Sequence, residues 1–180
     1  MKPDPKLKNL ESYLVSLPKG GVAAELGVWR GLYARMSYDA LKPSKMYLVD
    51  WWMNYSNSST VPEMWQKVKG QALGKFKSEI ESKKVKVIAE DFVTAAIRIP
   101  SNHIDFIRHD GDEREPQVSA TLRAWWRTLK KGGIWLGHGF LNEPRHGTIP
   151  AVVKFLKSNL EAELLGLLAG GSHFILRKNT

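Results

Sequence analysis

The sequence predicts an α/β fold: a doubly wound, Rossmann-like, mostly parallel sheet of about seven strands, the last one antiparallel, with helices on both faces. Short apolar runs alternate with longer segments of helical periodicity, the signature of strands joined by crossover helices. Acids or glycines close one apolar run after another, where an open sheet binds its ligand. The last two runs, in "AELLGLLAGGSHFILRK", are only a few residues apart, which suits a hairpin and is too short for a parallel return.

In "PKLKNLESYLVSLP", Leu7, Leu10, Tyr13, Leu14 and Leu17 fall at helical spacing, and Pro18, Gly20 and Gly21 punctuate a turn. Residues 1–18 therefore form an N-terminal capping helix. "GVAAEL" reads as the first strand and "LYARMSYDALK", from Leu32, as a helix that stops before Pro43. "KMYLVD" is the second strand, and the polar loop "NYSNSST" leads to a helix near Met64 to Lys83. "VKVIAED" is the third strand and "AAIRI" a short helix. "HIDFIRHDGD" gives the fourth strand, and "VSATLRAWWRTLKKGG" a helix with a glycine stop. "GIWLGHGF" is the fifth strand and "TIPAVVKFLKSN" a helix, before the terminal hairpin. No linker, repeat or low-complexity stretch divides residues 1–180, so one domain is expected.

With 180 residues, 43% of them hydrophobic, the chain can bury one sizeable core. No apolar run approaches the roughly 18–20 residues of a membrane span, and "MKPDPKLKNL" is too polar for a signal peptide; a cytoplasmic protein without a membrane partner is expected. The absence of cysteine excludes disulfides, thiolate metal sites and a cysteine nucleophile. A net charge of +9 favours encounter with polyanions. The lysines of residues 66–86 nevertheless read as a solvated helix face, and no recognisable nucleic-acid reading module is present.

The candidate site gathers at the strand ends. Gly27 and Gly31 permit a tight turn and close approach of backbone to a ligand, and Glu25 offers an acceptor. Asp50, ending the second strand, suits the two hydroxyls of a ribose. Two glycines four apart do not make the three-glycine pyrophosphate turn, and no Walker-type lysine loop exists. A cofactor with a nucleoside and no phosphate fits better.

"GVAAELGVWRGLYARMSYDALKPSKMYLVDWW" and "HIDFIRHDGDEREPQVSATLRAWWRTLKKGGIWLGHGF" together resemble the class I S-adenosylmethionine-dependent methyltransferases, in particular the small macrocin-type and sugar O-methyltransferase group. The resemblance spans about residues 19–160. It implies that Glu25, Gly27 and Gly31 face the methionine part of the cofactor and that Asp50 holds its ribose. It implies further that Trp51 covers the adenine, and that Glu90, Asp91 and Phe92 meet the adenine ring and its amino group, with Asp110 beside the cofactor. Trp51 packing against Trp52 is the competing reading; Trp125 and Trp126 read as core.

The fourth and fifth strands of that family usually end in aspartate-glycine-aspartate-histidine and glycine-histidine-aspartate. Here they read "DGDE" and "GHG": Asp110 and Asp112 are kept, Glu113 replaces the histidine, and Gly139 replaces a carboxylate. His138 or Glu113 is expected to take the acceptor's proton and Asp110 to orient the acceptor. His109 reads as packed. With Gly139 unable to supply an oxygen, Asp112 or Glu113 would have to bend inward to complete a divalent-cation site, so action without a metal, or with weak metal binding, is expected. The expected activity is methyl transfer to a hydroxyl, less readily an amine, of a small metabolite or sugar. A cofactor-binding protein without turnover and a nucleic-acid methyltransferase remain the alternatives. The oligomeric state is left open, a homodimer included.

Overall fold

The computed structural model describes residues 5–53, 62–141 and 147–179. Of the segments 52–64 and 140–149, which carry no motif and are expected to face the acceptor, residues 54–61 and 142–146 lie outside the described residues. The elements are α1 (Pro5–Ser16), β1 (Val22–Leu26), α2 (Leu32–Leu41), β2 (Lys45–Val49), α3 (Pro62–Gly74), α4 (Lys77–Glu81), β3 (Val85–Ile88), α5 (Phe92–Ile97), β4 (Ile104–His109), α6 (Gln117–Trp126), β5 (Leu129–His138), α7 (Thr148–Ser158), β6 (Ala162–Leu168) and β7 (His173–Lys178). A 3-10 turn at Ala169–Gly171 closes the final hairpin.

The strands form one sheet in the order β3-β2-β1-β4-β5-β7-β6. β1 to β5 pair in parallel, and β7 runs antiparallel to both β5 and β6. Strand order reverses between β1 and β4, the place where an open sheet leaves a crevice at its carboxyl edge. Strands buried on both faces explain the unbroken apolar runs: every described residue of β2 after Lys45 is buried.

Two cores lie on opposite faces. Leu10 and Leu14 of α1, Ala34 and Leu41 of α2, and Val68 and Ala72 of α3 cover one face. Phe92 and Ala95 of α5, Leu122 and Trp125 of α6, and Val152 and Phe155 of α7 cover the other. Trp125 and Trp126 are core, and the Trp125 indole donates to Phe92 O at 2.7 Å. Among the described residues no helix is long and apolar enough to cross a membrane.

Two sequence-based boundaries need correction. The single helix expected near Met64–Lys83 is two, α3 and α4, separated at Lys75 and Phe76; the Phe76 side chain is fully buried and turns the chain inward. The helix expected to continue to Gly133 ends at Trp126, because Thr128 hydrogen-bonds back to Trp125 O through both its amide and its hydroxyl, and Leu129 already belongs to β5. Gly132, at φ 79°, accommodates an irregularity within the strand rather than stopping a helix.

Candidate active site

β1 and β4 meet at the reversal of strand order. Asp110 N donates to Leu26 O at 2.8 Å, and Gly27 N to Val49 O at 2.9 Å, so the residues just past three strands are drawn together. Gly27 has φ 89°, and a Cβ there would lie 2.1 Å from the Asp110 carbonyl oxygen. Gly31, at φ 76°, precedes α2, and a Cβ on it would lie 3.1 Å from Cα of Ala72 in α3. The expected close approach is therefore made first to the protein's own backbone. Gly27 also lines the cleft described next, whereas the space beside Gly31 is taken by α3.

Three adjoining cavities run over the strand ends. One of about 260 Å³ is walled by Trp51, Asp91, Phe92, Val93, Asp112 and Arg114. A second, about 270 Å³, shares Phe92, Asp112 and Arg114 with the first and adds Gly27, Trp29, Asp50, Trp65 and Asp110. The third, about 400 Å³, shares Gly27, Trp29 and Asp110 and reaches Arg30, Leu32 and Tyr33. The first has the flat apolar walls a purine needs. Trp51 is 39% exposed and Phe92 is held from behind by the Trp125 indole. Asp91 caps α5, accepting Val93 N and Thr94 N, both at 3.0 Å, on the same oxygen. Glu90 is held by Arg98 in a surface ion pair at 2.5 Å and is not among the residues that wall these cavities.

Asp50 does more than the sequence suggests. Its Oδ2 accepts Val28 N at 2.9 Å and Trp29 N at 2.8 Å, and its Oδ1 accepts Trp52 N at 2.7 Å. A carboxylate offers about four lone-pair sites. Three are committed to the loop after β1 and its neighbour, which leaves one for a ribose hydroxyl rather than two. The same bonds hold Trp29 at φ 46°, a conformation that costs a bulky residue about 1–2 kcal/mol. The Trp52 indole secures it further by donating to Trp29 O at 3.0 Å.

Beside the cleft, from β1 across β4 to β5, runs a string of charges that the sequence revealed only in part. Arg108, 1% exposed in β4, donates to Glu25 at 2.5 Å and to Asp110 at 2.8 Å, and its guanidinium lies 4.3 Å from the centre of the Tyr33 ring. Asp110 Oδ1 lies 3.2 Å from His138 Nδ1, which contacts Glu113 Oε1 at 2.6 Å. Glu25 is fully buried, and Arg108 is its hydrogen-bond partner. The missed signal was an arginine inside an otherwise apolar strand, "FIRH", one strand away from a glutamate inside "VAAEL".

Burial pushes the Glu25 carboxyl up to about 7, against the pull of Arg108. Burial also works against the Arg108 cation, but Glu25 and Asp110 outweigh it and hold its pKa above the ordinary value. Asp110 is partly desolvated, yet His138 and Arg108 hold it well below the usual carboxylate range. His138, hydrogen-bonded to Asp110 and Glu113, is raised to about 9 and is a cation at neutral pH. His173, cross-strand from His138 with ring centres 4.7 Å apart, is lowered to about 4 by burial and by the neighbouring cations. His109 is also lowered to about 4 by burial, and packs edge-on to Phe92 and Trp135, as a packed residue should.

Glu113 does bend inward, filling the space in which a side chain at Gly139 would stand; Asp112 is held instead by Arg114 at 2.6 Å. Donor atoms of Asp110, Glu113 and His138 lie within 4.8 Å of one another, the one such trio among the described residues.

A mostly parallel sheet with a cleft at the reversal of strand order, an acid at the end of β2 and a flat apolar slot beside it is an arrangement suited to a nucleoside-containing ligand. The sequence profile of the methyltransferase-domain family matches residues 24–140, and the chain belongs to that family. No curated protein sequence matches it. Among solved structures it is similar to a Corynebacterium glutamicum protein (TM-score 0.71, 14% identity, covering 100% of this chain and 83% of that one). It is also similar to an O-methyltransferase from Bacillus cereus in complex with S-adenosylhomocysteine (0.68, 15%, 99% and 83%) and to an rRNA methylase from Streptococcus thermophilus (0.61, 13%, 100% and 99%). The protein is an S-adenosylmethionine-dependent methyltransferase. The cleft suits that cofactor: it has a flat apolar slot, an acid with one lone-pair site left, and a Gly27 turn in which a Cβ would collide with Asp110.

Proposed function

We propose that the protein methylates a hydroxyl, less readily an amine, of a small acceptor such as a sugar or another metabolite, with Asp110 orienting the acceptor and the Glu113–His138 pair taking its proton. The observation that carries this reading is the cluster of Asp110, Glu113 and His138, which joins the ends of β4 and β5 beside the cleft. The donor supplies a methyl group on a sulfonium sulfur. The adenosine end is assigned to Trp51, Asp91, Phe92 and Asp50, which leaves the Asp110 end of the cleft for the acceptor. The acceptor oxygen attacks the methyl carbon in line as the carbon–sulfur bond breaks, which requires the acceptor held in near-attack geometry. His138 Nδ1 is committed to the two carboxylates, so Nε2 is the ring nitrogen that receives the acceptor's proton once His138 is neutral.

The same contacts favour action without a divalent ion. Asp110, Glu113 and His138 are already satisfied by one another, and an ion would have to displace the proton they share, with a histidine as one of its few ligands.

Incubation of pooled cell metabolites with methyl-labelled donor, followed by separation of labelled products, tests the reading. A labelled hydroxyl-methylated product is the expected result, and a His138→Ala, Glu113→Gln double variant should lose turnover while still binding S-adenosylhomocysteine. Binding of the donor with no labelled product from any pool would instead fit a cofactor-binding protein without transfer.

A further inference from the structure

Residues 62–88, which build α3, α4 and β3, contain seven lysines against three glutamates. None of the seven, Lys67, Lys69, Lys75, Lys77, Lys83, Lys84 and Lys86, takes part in an ion pair among the described residues. The nearby acid Glu79 is taken by Arg35 at 2.7 Å. Ion pairs elsewhere are made mostly by arginine, at Arg35, Arg98, Arg108, Arg114 and Arg177, and by Lys130 alone of the lysines among the described residues, so it is the density of lysines that sets residues 62–88 apart.

β3 is the outer strand of the sheet. Along it runs a shallow groove of about 470 Å³, with Lys45, Lys83 and Lys86 on its walls and Ile80, Val85 and Val87 as its apolar part. Lys84, just before β3, and Lys86, within it, are both exposed. One or two lysines on an outer strand guard it against pairing with another chain. Lysines that continue over two helices, none ion-paired among the described residues and Lys69 lying 5.6 Å from the Trp52 ring centre, exceed that need and create a field that draws a polyanion.

We propose that this lysine-lined outer edge of the sheet is a docking surface for single-stranded nucleic acid. All seven cations are lysines, compact point charges that can follow a row of phosphates. The apolar part of the groove can take sugar and base, and β3 leads directly to Asp91 at the first cavity. This inference is independent of the identity of the methyl acceptor: nucleic acid can be held here whether or not it is methylated.

The test is fluorescence anisotropy of a labelled 20-nucleotide single-stranded RNA with the full chain, over a salt series starting at about 50 mM. Three proteins are compared: the unaltered chain, a Lys83→Glu, Lys84→Glu, Lys86→Glu variant, and a Lys131→Glu, Lys154→Glu, Lys157→Glu variant with the same change of charge elsewhere. Each is checked for fold by circular dichroism and for S-adenosylhomocysteine affinity by calorimetry. The groove variant should lose at least tenfold in RNA affinity, keep its S-adenosylhomocysteine affinity, and show a salt slope smaller by about two, at roughly 0.7 per phosphate contact. The second variant should lose less than threefold. No binding by the unaltered chain at the lowest salt, equal losses in the two variants, or displacement of the RNA by poly-glutamate or anionic lipid vesicles at matched charge would overturn it.

Discussion

A Cβ on Gly139 would lie 2.4 Å from Cδ of Glu113, so the Glu113 carboxyl holds the room in which a side chain at 139 would otherwise stand. Gly139 also has φ 80°, where any other residue is strained by about 1–2 kcal/mol. Restoring an aspartate at this position should therefore not improve the site. Gly139→Asp is expected to displace Glu113 from His138 and to lower turnover at least tenfold, with a lower melting temperature. Turnover equal to the unaltered enzyme would show that Glu113 is not needed where it sits.

The His138 pKa of about 9 gives a pH signature. If His138 Nε2 receives the proton, kcat/KM should climb with pH and level off near 9; Glu113→Gln, which removes one of the partners holding the proton, should move that rise to lower pH. The same group affects folding with a definite sign. Its pKa is raised above the ordinary 6.5, so its stabilising contribution is complete below about 6.5 and disappears as pH rises through about 9. Urea denaturation at pH 6, 7.5 and 9 should show that decline, and His138→Gln should flatten it.

Arg108→Met is expected to be severe, because it leaves Glu25 buried with no cation. Breaking a buried pair from one side costs about 3–5 kcal/mol. Adding Glu25→Gln to the same chain should return a good part of that loss in denaturant unfolding. Equal stability of the single and double variants would show that Glu25 is not the group left stranded.

Asp50→Asn tests two roles of one carboxylate. Three amides converge on it, so the free protein should lose about 1–3 kcal/mol from donors left poorly matched. S-adenosylhomocysteine affinity should fall in calorimetry as well. Weaker binding with an unchanged melting temperature would assign the residue to the ligand alone.

Exhaustive chelation should leave methyl transfer intact. Loss of activity on chelation, recovered by magnesium, manganese or calcium at micromolar concentration, would show that the Asp110, Glu113 and His138 trio works as a metal site.

Elements whose periodicity came from burial were plain in the sequence. The strands are short apolar runs because both faces are covered, and the terminal hairpin followed from spacing alone. Boundaries set by a single tertiary contact were not legible: the break at Phe76 depends on a pocket in the core, and the end of α6 on hydrogen bonds from Thr128. At the site, Asp50, Trp51, Asp91, Phe92 and Asp110 do line the cleft. Glu25 and Glu90 do not, because a guanidinium reaches each first, and which acid an arginine meets depends on strand order. Trp29, 53% exposed, and the half-buried Trp65 were missed because neither carries a periodic signal that separates a cleft wall from packing.

Glu25 and Arg108 stand directly opposite each other in the β1–β4 ladder although 83 residues separate them in the chain. Sliding β4 by one residue would turn Arg108 to the far side of the sheet and strand Glu25 in the interior, because successive side chains alternate between faces. An isolated buried carboxylate is costly, so misaligned pairings of these two central strands are penalised before any catalytic residue is in place. The ion pair thus ties strand register to the site: the alignment that closes it is the one that brings Asp110 beside Gly27.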